Sequence, residues 1–304
     1  MLKIPAKDRM ILPKPMGECE TLGVAAPAGR FDPAALKEGL AVLAKMGFRT
    51  VLPEGLFESC GYLAGTDAHR AALIHEMFSD DAIDGIICAR GGYGSMRILP
   101  MLDLDLVRKN PKPFIGFSDI TALLNTLYFK GGLVTYHGPV VTTLAGAPVK
   151  TRKALLKVLS RSEVLEFPSS GSSVIRPGKA EGILMGGNLT TLCHLVGTPF
   201  APRYQGVILF LEDKGEPPYR IDRMLAQMRL SGCFKGIAGV ALGDFVDCGK
   251  KREICDIVRE CLAEHRIPIL GGFEIGHGKI NRTVPIGLPA ILDTDRRSLV
   301  VKWP

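Results

Sequence analysis

Ser118 is the residue whose surroundings most suggest chemistry: it ends the apolar run Pro113-Phe114-Ile115-Gly116-Phe117 and opens directly into the apolar helical pattern that begins at Asp119. A serine on a strand-to-helix turn at the C-terminal edge of a sheet presents its hydroxyl, and the helix N-terminus behind it favours developing negative charge. The next amide, Asp119 N–H, would then point at a developing oxyanion. A lone serine before a helix is ordinarily only a cap. The segment also lacks the second glycine of a G-x-S-x-G elbow, so a nucleophile here needs partners elsewhere in the chain.

A hydroxyl nucleophile needs a base, and histidine is available in neutral form near pH 7. Of the six histidines, His69 and His75 fall on a polar-faced helix, His265 at a helix C-terminus, and His194 in an apolar helix that reads as core. Two compete as base: His137, which ends the strand LVTYHG, and His277, which follows an apolar strand and is flanked by Gly276 and Gly278. The orienting carboxylate is sought in GVILFLED, where Glu212 continues the alternation of Ile208 and Phe210. If that face is buried, Glu212 requires a partner; Glu216 is the runner-up. Arg90-Gly91-Gly92-Tyr93-Gly94-Ser95 follows the apolar strand DGIICAR. Its adjacent glycines allow close backbone approach, so it is an oxyanion or anion cradle or a plain tight turn. It matches neither nucleotide-loop spacing. No His/Cys/Asp/Glu cluster has metal-ligand spacing, so neither metal nor cofactor is expected.

The elements that must position these residues alternate. A strand at Thr21–Ala25, a helix from Pro33 behind an Asp32 cap, a strand at 49–52, a helix over 67–79, the strand DGIICAR and a helix over 95–109 come first. Strand PFIGF, helix DITALLNTLYF and strand LVTYHG follow, and this βαβ repetition predicts an α/β fold with an open parallel sheet. After the helix TRKALLKVLSRS, the stretch FPSSGSSVIRPGKAEG is rich in Ser, Gly and Pro and reads as an interdomain connection. Residues 1–165 are therefore expected to form an N-terminal α/β domain carrying Ser118, and residues 166–304 a smaller C-terminal mixed α/β domain carrying Glu212 and His277. In the latter, strands GILMGG, GVILFLED, IAGVALGDF and IPILGGFEIG alternate with helices near 189–196, 218–230 and 251–265, before a hairpin around 293–297.

Composition narrows the partners. The 304 residues are 46% hydrophobic and 23% charged, with room for about two cores. The formal charge is +7, but basic residues form no block and are not interleaved with aromatics, so small anionic partners are expected and nucleic acid is not. The eight cysteines show no C-x-x-C pair and mostly lie in apolar patterns, as around Cys88 and Cys255, which predicts reduced core residues. There is no secretory pattern at the N-terminus and no apolar run of about 18 residues, which predicts a soluble, cytoplasmic protein without membrane insertion.

Taken in order, RGGYG after its apolar strand, GFSDIT, GGNLT, LFLED-x-GE-x-x-YRIDRML and GHG resemble the LD-carboxypeptidase family of serine peptidases, from about residue 23 to 287. The resemblance implies a Ser-Glu-His triad in which Ser118 matches the nucleophile of GxSD, Glu212 the carboxylate of LED, and His277 the base of GHG. It also implies oxyanion donors at the backbone N–H groups of Gly92 and Asp119, a sheet domain carrying the serine ahead of a domain carrying the other two, and a homodimer. The implied reaction releases terminal D-alanine from murein tetrapeptide during cell-wall recycling. The terminal carboxylate of such a peptide needs a cationic or N–H-rich clamp, for which Arg90, Arg223 and the Gly186-Gly187-Asn188 loop are candidates. The microcin immunity proteins share this framework and hydrolyse peptidyl adenylates, although LEDKGEPPYRIDRML looks more like the murein-recycling branch. Two other classes stay open. One is a non-catalytic α/β module using RGGYGS and GGN as anion nests; the other, an amidotransferase-like enzyme, would need cysteine where Ser118 stands. The extension before Glu20 departs from the family pattern and has no assigned function.

Overall fold

The computed structural model describes residues 10–161, 164–170 and 174–304. The chain divides into two compact units, residues up to 161 together with 282–284, and residues 164–281 with 285–304. In the N-terminal unit, strands β1 (Thr21–Ala25), β2 (Arg49–Val51), β3 (Gly85–Cys88), β4 (Phe114–Gly116) and β5 (Thr135–His137) run parallel in the order β5-β4-β3-β1-β2, and the short strand at 284–286 forms the edge beside β5. β1, β3, β4 and β5 are buried along their whole length, as expected of parallel strands covered on both faces. Their crossovers are α1 (Pro33–Lys45), α2 (Asp67–Ser79), α3 (Ser95–Ile98), α4 (Leu104–Lys109) and α5 (Thr121–Phe129), followed by α6 (Val141–Leu144) and α7 (Val149–Ser160). The Asp32 carboxylate accepts from Ala34 N at 3.0 Å and so caps α1, with Pro33 at its first position. α5 has every residue buried, and a helix without a polar face belongs in a core.

The helix expected over 95–109 is broken. α3 gives way to a 3-10 turn at Leu99–Met101 that includes Pro100, and α4 restarts where the Asp103 carboxylate accepts from Asp105 N and Leu106 N at 3.0 and 2.9 Å. A proline that cannot donate and an aspartate that caps outweigh the apolar periodicity.

The C-terminal unit is built on an eight-stranded mixed sheet. Its strands are β6 (Leu165–Pro168), β7 (Val174–Arg176), β8 (Lys179–Asn188), β9 (Val207–Lys214), β10 (Gly239–Val246), β11 (Ile269–Gly271), β13 (Pro289–Asp293) and β14 (Ser298–Val301), while β12 (Val284–Ile286) is the edge strand of the first sheet. The order is β6-β14-β13-β8-β9-β10-β11-β7, with β8 to β11 parallel and the flanking pairs antiparallel. Helices α8 (Leu189–Leu195), α9 (Pro218–Leu230) and α10 (Lys251–Cys261) complete it. The stretch expected as a connection is instead mostly strand: β6 and β7 form the two edges of this sheet, and β8 begins at Lys179, with residues 171–173 outside the described set. Leu165 and Phe167 alternate into the core, and edge strands tolerate the Ser and Pro that make such a segment read as a loop. The expected hairpin is present, Asp293 pairing with Ser298.

Two further expectations are corrected. His194 is exposed on α8, because Leu189, Leu192, Cys193 and Leu195 take the buried face. All eight cysteines are free, but only Cys88, Cys193 and Cys248 are buried; Cys19 lies exposed in a turn and Cys60 exposed in an isolated bridge to Leu63.

Gly39 in α1 is buried where the helix crosses α6, and a methyl group there would collide with the Val141 carbonyl. Alanine ordinarily gains about 1 kcal/mol over glycine inside a helix, whereas overpacking costs about 1–3 kcal/mol. Gly39→Ala is therefore expected to lower the thermal midpoint; an equal or raised midpoint in calorimetry would count against this packing.

Candidate active site

The N-terminal unit contributes an elbow. Phe117 is fully extended after β4, and Ser118 then adopts φ +63° before a 3-10 turn, Ser118–Ile120, runs into α5. A non-glycine residue at positive φ costs about 1–3 kcal/mol and persists only where its surroundings over-determine it. Two glycines do so. A methyl at Gly116 would stand 2.6 Å from Ile120 Cγ2, and one at Gly91 would stand 2.9 Å from Ser118 Cβ and 3.2 Å from its Oγ. The second glycine missing from the local motif is thus supplied by a different loop, which no local pattern could reveal. α5 starts without a side-chain cap, so Ser118 does not take the role a serine ordinarily has there. The loop before it turns through Gly92 at φ +99° and Gly94 at +131°. Arg90 is exposed and donates Nη1 to the Arg30 carbonyl at 2.5 Å; Tyr93 is half-exposed, its ring 5.8 Å from that of Tyr62. His137, fully buried at the end of β5, lies edge-on to the Phe117 ring at 6.1 Å.

The C-terminal unit contributes a buried pair. Glu212, opposite Asn188 in the β8–β9 register, has no solvent exposure, and its Oε2 lies 2.7 Å from His277 Nδ1. A carboxylate taken out of water needs such a donor. With the Nδ1 proton given to the carboxylate, Nε2 is the acceptor of a neutral ring. Glycines make the approach possible: a side chain at Gly276, φ +107°, would overlap Glu212 Oε2, and one at Gly243 would meet Glu212 Cβ at 3.2 Å. The loop is further held by Gly276 N donating to Asn281 Oδ1 at 3.1 Å.

Strand alternation sends the neighbouring Asp213 to the other face. There it accepts from Asn188 Nδ2 at 3.0 Å, Thr190 N at 2.9 Å and Thr190 Oγ1 at 2.8 Å, while Asn188 Oδ1 accepts from Thr191 N at 3.0 Å and caps α8. The Asn188 amide is thereby engaged in building the turn after Gly186, whose φ of +139° and close approach to the Phe210 carbonyl exclude any side chain. Glu216 pairs with Arg220 at 3.4 Å, and Arg223 lies on the exposed face of α9 with its guanidinium 5.5 Å from the Tyr219 ring. Among the described residues no three His, Cys, Asp or Glu side chains are grouped to hold a metal ion.

Asp244 on β10 is a site neighbour that the sequence reading missed; its only signal was an acid in the apolar strand ALGDF. Its carboxylate sits directly against Gly278, where any side chain would overlap it. Burial, reinforced by the negative charges of Glu212 and Glu274, pushes its pKa up to about 6. A carboxyl raised in the folded state contributes stability that is present below about pH 4 and lost as pH rises through 6. Asp244→Asn should therefore gain thermal stability relative to the parent between pH 4 and 7, read as a widening difference in midpoint. A pH-independent difference would refute this.

Comparison with known proteins accords with both halves of this arrangement. The LD-carboxypeptidase N-terminal domain family matches residues 22–138, and the LD-carboxypeptidase C-terminal domain family matches residues 181–292. A probable murein peptide carboxypeptidase of Bacillus subtilis is 40% identical over 299 residues, covering 95% of this chain and 94% of that protein. The murein tetrapeptide carboxypeptidase of Pseudomonas aeruginosa is 38% identical over 250 residues, covering 77% and 80%. In fold, the chain is similar to an MccF-like protein from Bacillus anthracis, with a TM-score of 0.89 at 27% identity over 96% of this chain and 99% of that one. With matches in both domains and this identity across nearly all of a relative's length, the chain belongs to the LD-carboxypeptidase family of serine peptidases.

Proposed function

We propose that this protein is a serine-type LD-carboxypeptidase that releases terminal D-alanine from murein tetrapeptide, with Ser118 as nucleophile, His277 as base and Glu212 as the carboxylate that orients it. The observation that carries this reading is the Glu212–His277 pair, a 2.7 Å contact to a fully buried carboxylate. Such a pair holds the ring in one tautomer and stabilises the imidazolium that forms when the base accepts a proton. The strained, uncapped Ser118 supports the nucleophile assignment, and the relatives named as murein peptide and murein tetrapeptide carboxypeptidases support the substrate class.

In this mechanism Ser118 Oγ attacks the carbonyl on the L-side of the scissile amide while His277 Nε2 takes its proton. The backbone N–H groups of Gly92 and Asp119 receive the oxyanion, in a place where hydrogen bonds strengthen as charge develops. His277 then protonates the leaving D-alanine amine, and water, activated by the same imidazole, hydrolyses the acyl-enzyme. Arg90, exposed at the head of the glycine loop, is proposed to meet the substrate's terminal carboxylate, because the Asn188 amide is engaged in its turn and the Arg223 guanidinium lies over Tyr219. The family resemblance extends the proposal to a homodimer acting in the cytoplasm on soluble peptide. No helix among the described residues is long and apolar enough to cross a membrane.

The direct test is release of D-alanine from a defined murein tetrapeptide. Ser118→Ala is expected to fold and to lose at least ~1000-fold in kcat/KM, and activity within tenfold of the parent would sink the triad. Cleavage of a peptidyl adenylate in place of the tetrapeptide would favour the immunity-type reaction.

Stereochemistry provides a second test. Inverting the terminal centre at fixed carboxylate position swings the methyl into the space of the α-hydrogen and displaces the scissile carbonyl from Ser118, and a shift near 1 Å costs ~100-fold. A tetrapeptide ending in L-alanine should be cut at least ~100-fold more slowly than the D form, by mass spectrometry of the products. Equal rates would leave serine hydrolysis but remove the LD specificity.

A further inference from the structure

The side chain of Asp119 makes contacts that its backbone role does not require. It is buried, at 7% exposure, and its Oδ2 accepts from Ser95 N at 2.8 Å, while Ser95 Oγ donates to the Asp119 carbonyl at 2.6 Å. The Gly94 N–H lies on the same side and favours the ionised form of this carboxylate. The residue directly after Ser118 is thereby tied to the end of the glycine loop. From the other side Arg70, on α2 and without solvent exposure, donates Nη1 to the Gly94 carbonyl at 2.8 Å and to the Pro27 carbonyl, and pairs through Nη2 with Asp67. The Gly94–Ser95 peptide is held at its N–H by the Asp119 carboxylate and at its carbonyl by the Arg70 guanidinium, with Gly94 at a φ of +131° that leaves no room for a side chain beside Arg70 and Leu63. Two residues earlier stands Gly92, and one before it Gly91 presses on Ser118.

We propose that Asp119, through its carboxylate, and Arg70 are positioning residues for the oxyanion-binding loop: together they lock residues 91–95 to the Ser118 elbow and so fix the Gly92 N–H relative to Ser118 Oγ. This rests on the assignment of Ser118 as nucleophile. Burial raises the pKa of Asp119, while the hydrogen bonds from Ser95 and Gly94 and the charge of Arg70 pull it back toward the ionised form. Loss of either partner leaves a buried polar group uncompensated, and the loop is what can relax. A relaxed loop weakens a contact made only in the transition state, so the loss falls on kcat and not on KM.

The test uses the full chain, with D-alanine release from murein tetrapeptide as the assay and the murein tripeptide product as a competitive inhibitor. Asp119→Ala is expected to lower kcat about 100-fold, in the range for one oxyanion donor, with KM and the tripeptide inhibition constant within about threefold. Asp119→Asn, which keeps one acceptor, should recover part of that loss, about tenfold. If Asp119→Ala does not fold, Asp119→Asn and Ser95→Ala carry the test, the latter removing only the hydroxyl bond to the Asp119 carbonyl. Arg70→Lys, which keeps the charge and loses the fork, should show the same kcat-selective loss. Parental kcat in the folded Asp119 and Ser95 variants, or a loss confined to KM, overturns the inference. If the parent releases no D-alanine, or Ser118→Ala retains activity, the functional reading itself fails and this inference falls with it.

Discussion

A guanidinium with no access to solvent organises the N-terminal unit. Arg70 has five donors and cannot shed its proton, and a buried cation costs several kcal/mol unless those donors are met. Three of the five are met, two by backbone carbonyls at Pro27 and Gly94, in the loops that follow β1 and β3, and one by Asp67 in the first turn of its own helix, while Nε is buried with no hydrogen-bond partner among the described residues. These loops leave the carboxyl ends of adjacent parallel strands, the edge at which open α/β sheets hold ligands. The arginine's desolvation thus ties the loops of that edge together. The close seating of Gly91 on Ser118, and the positive φ that Ser118 keeps, depend on loops held in this way.

The C-terminal unit handles the opposite charge. Near its end β9 carries two adjacent acids, and the alternation of a strand sends them to opposite faces. Glu212 meets His277 on one side; Asp213 meets Asn188 and Thr190 on the other and fixes the start of α8. Both carboxylates are buried, so each needs its own set of donors, and each set comes from a different neighbouring segment. Gly276 and Gly243 are the places where those segments come too near for a side chain. Around His277 the charge is negative, from Glu212 with Asp244 and Glu274 nearby. Such surroundings fit the role proposed for His277, in which the imidazole takes up a proton and passes it to a leaving amine.

The proposed nucleophile and the proposed base therefore sit on different kinds of support. Ser118 is held by backbone geometry, with a tight turn, two glycines and a fully buried helix behind it. His277 lies in a loop and meets a fully buried carboxylate through a short contact. Loss of the glycines around Ser118 would alter its position by steric force, whereas loss of Glu212 would remove the contact that orients His277 with little change in packing.

Much of this was legible in the sequence, because much of it is local. Periods of two and 3.6 located most strands and helices, Asp32 before Pro33 marked the start of α1, and the setting of Ser118, Glu212 and His277 identified each as a candidate. What the sequence left undecided depends on pairings between distant segments. β6 and β7 look like a connection because their composition is that of a loop, and only β14 and β11 beside them make them strands. His194 turned outward because four apolar neighbours claimed the core. The proposal of His277 over His137 rests on its contact with the buried Glu212, and that carboxylate lies 65 positions from its partner. The Gly91 contact with Ser118, the Arg70 clamp and the place of Asp244 beside Gly278 are likewise set by how the chain crosses itself. Residue types determine what a side chain can donate, accept or bury; the tertiary structure alone decided which other residue receives it.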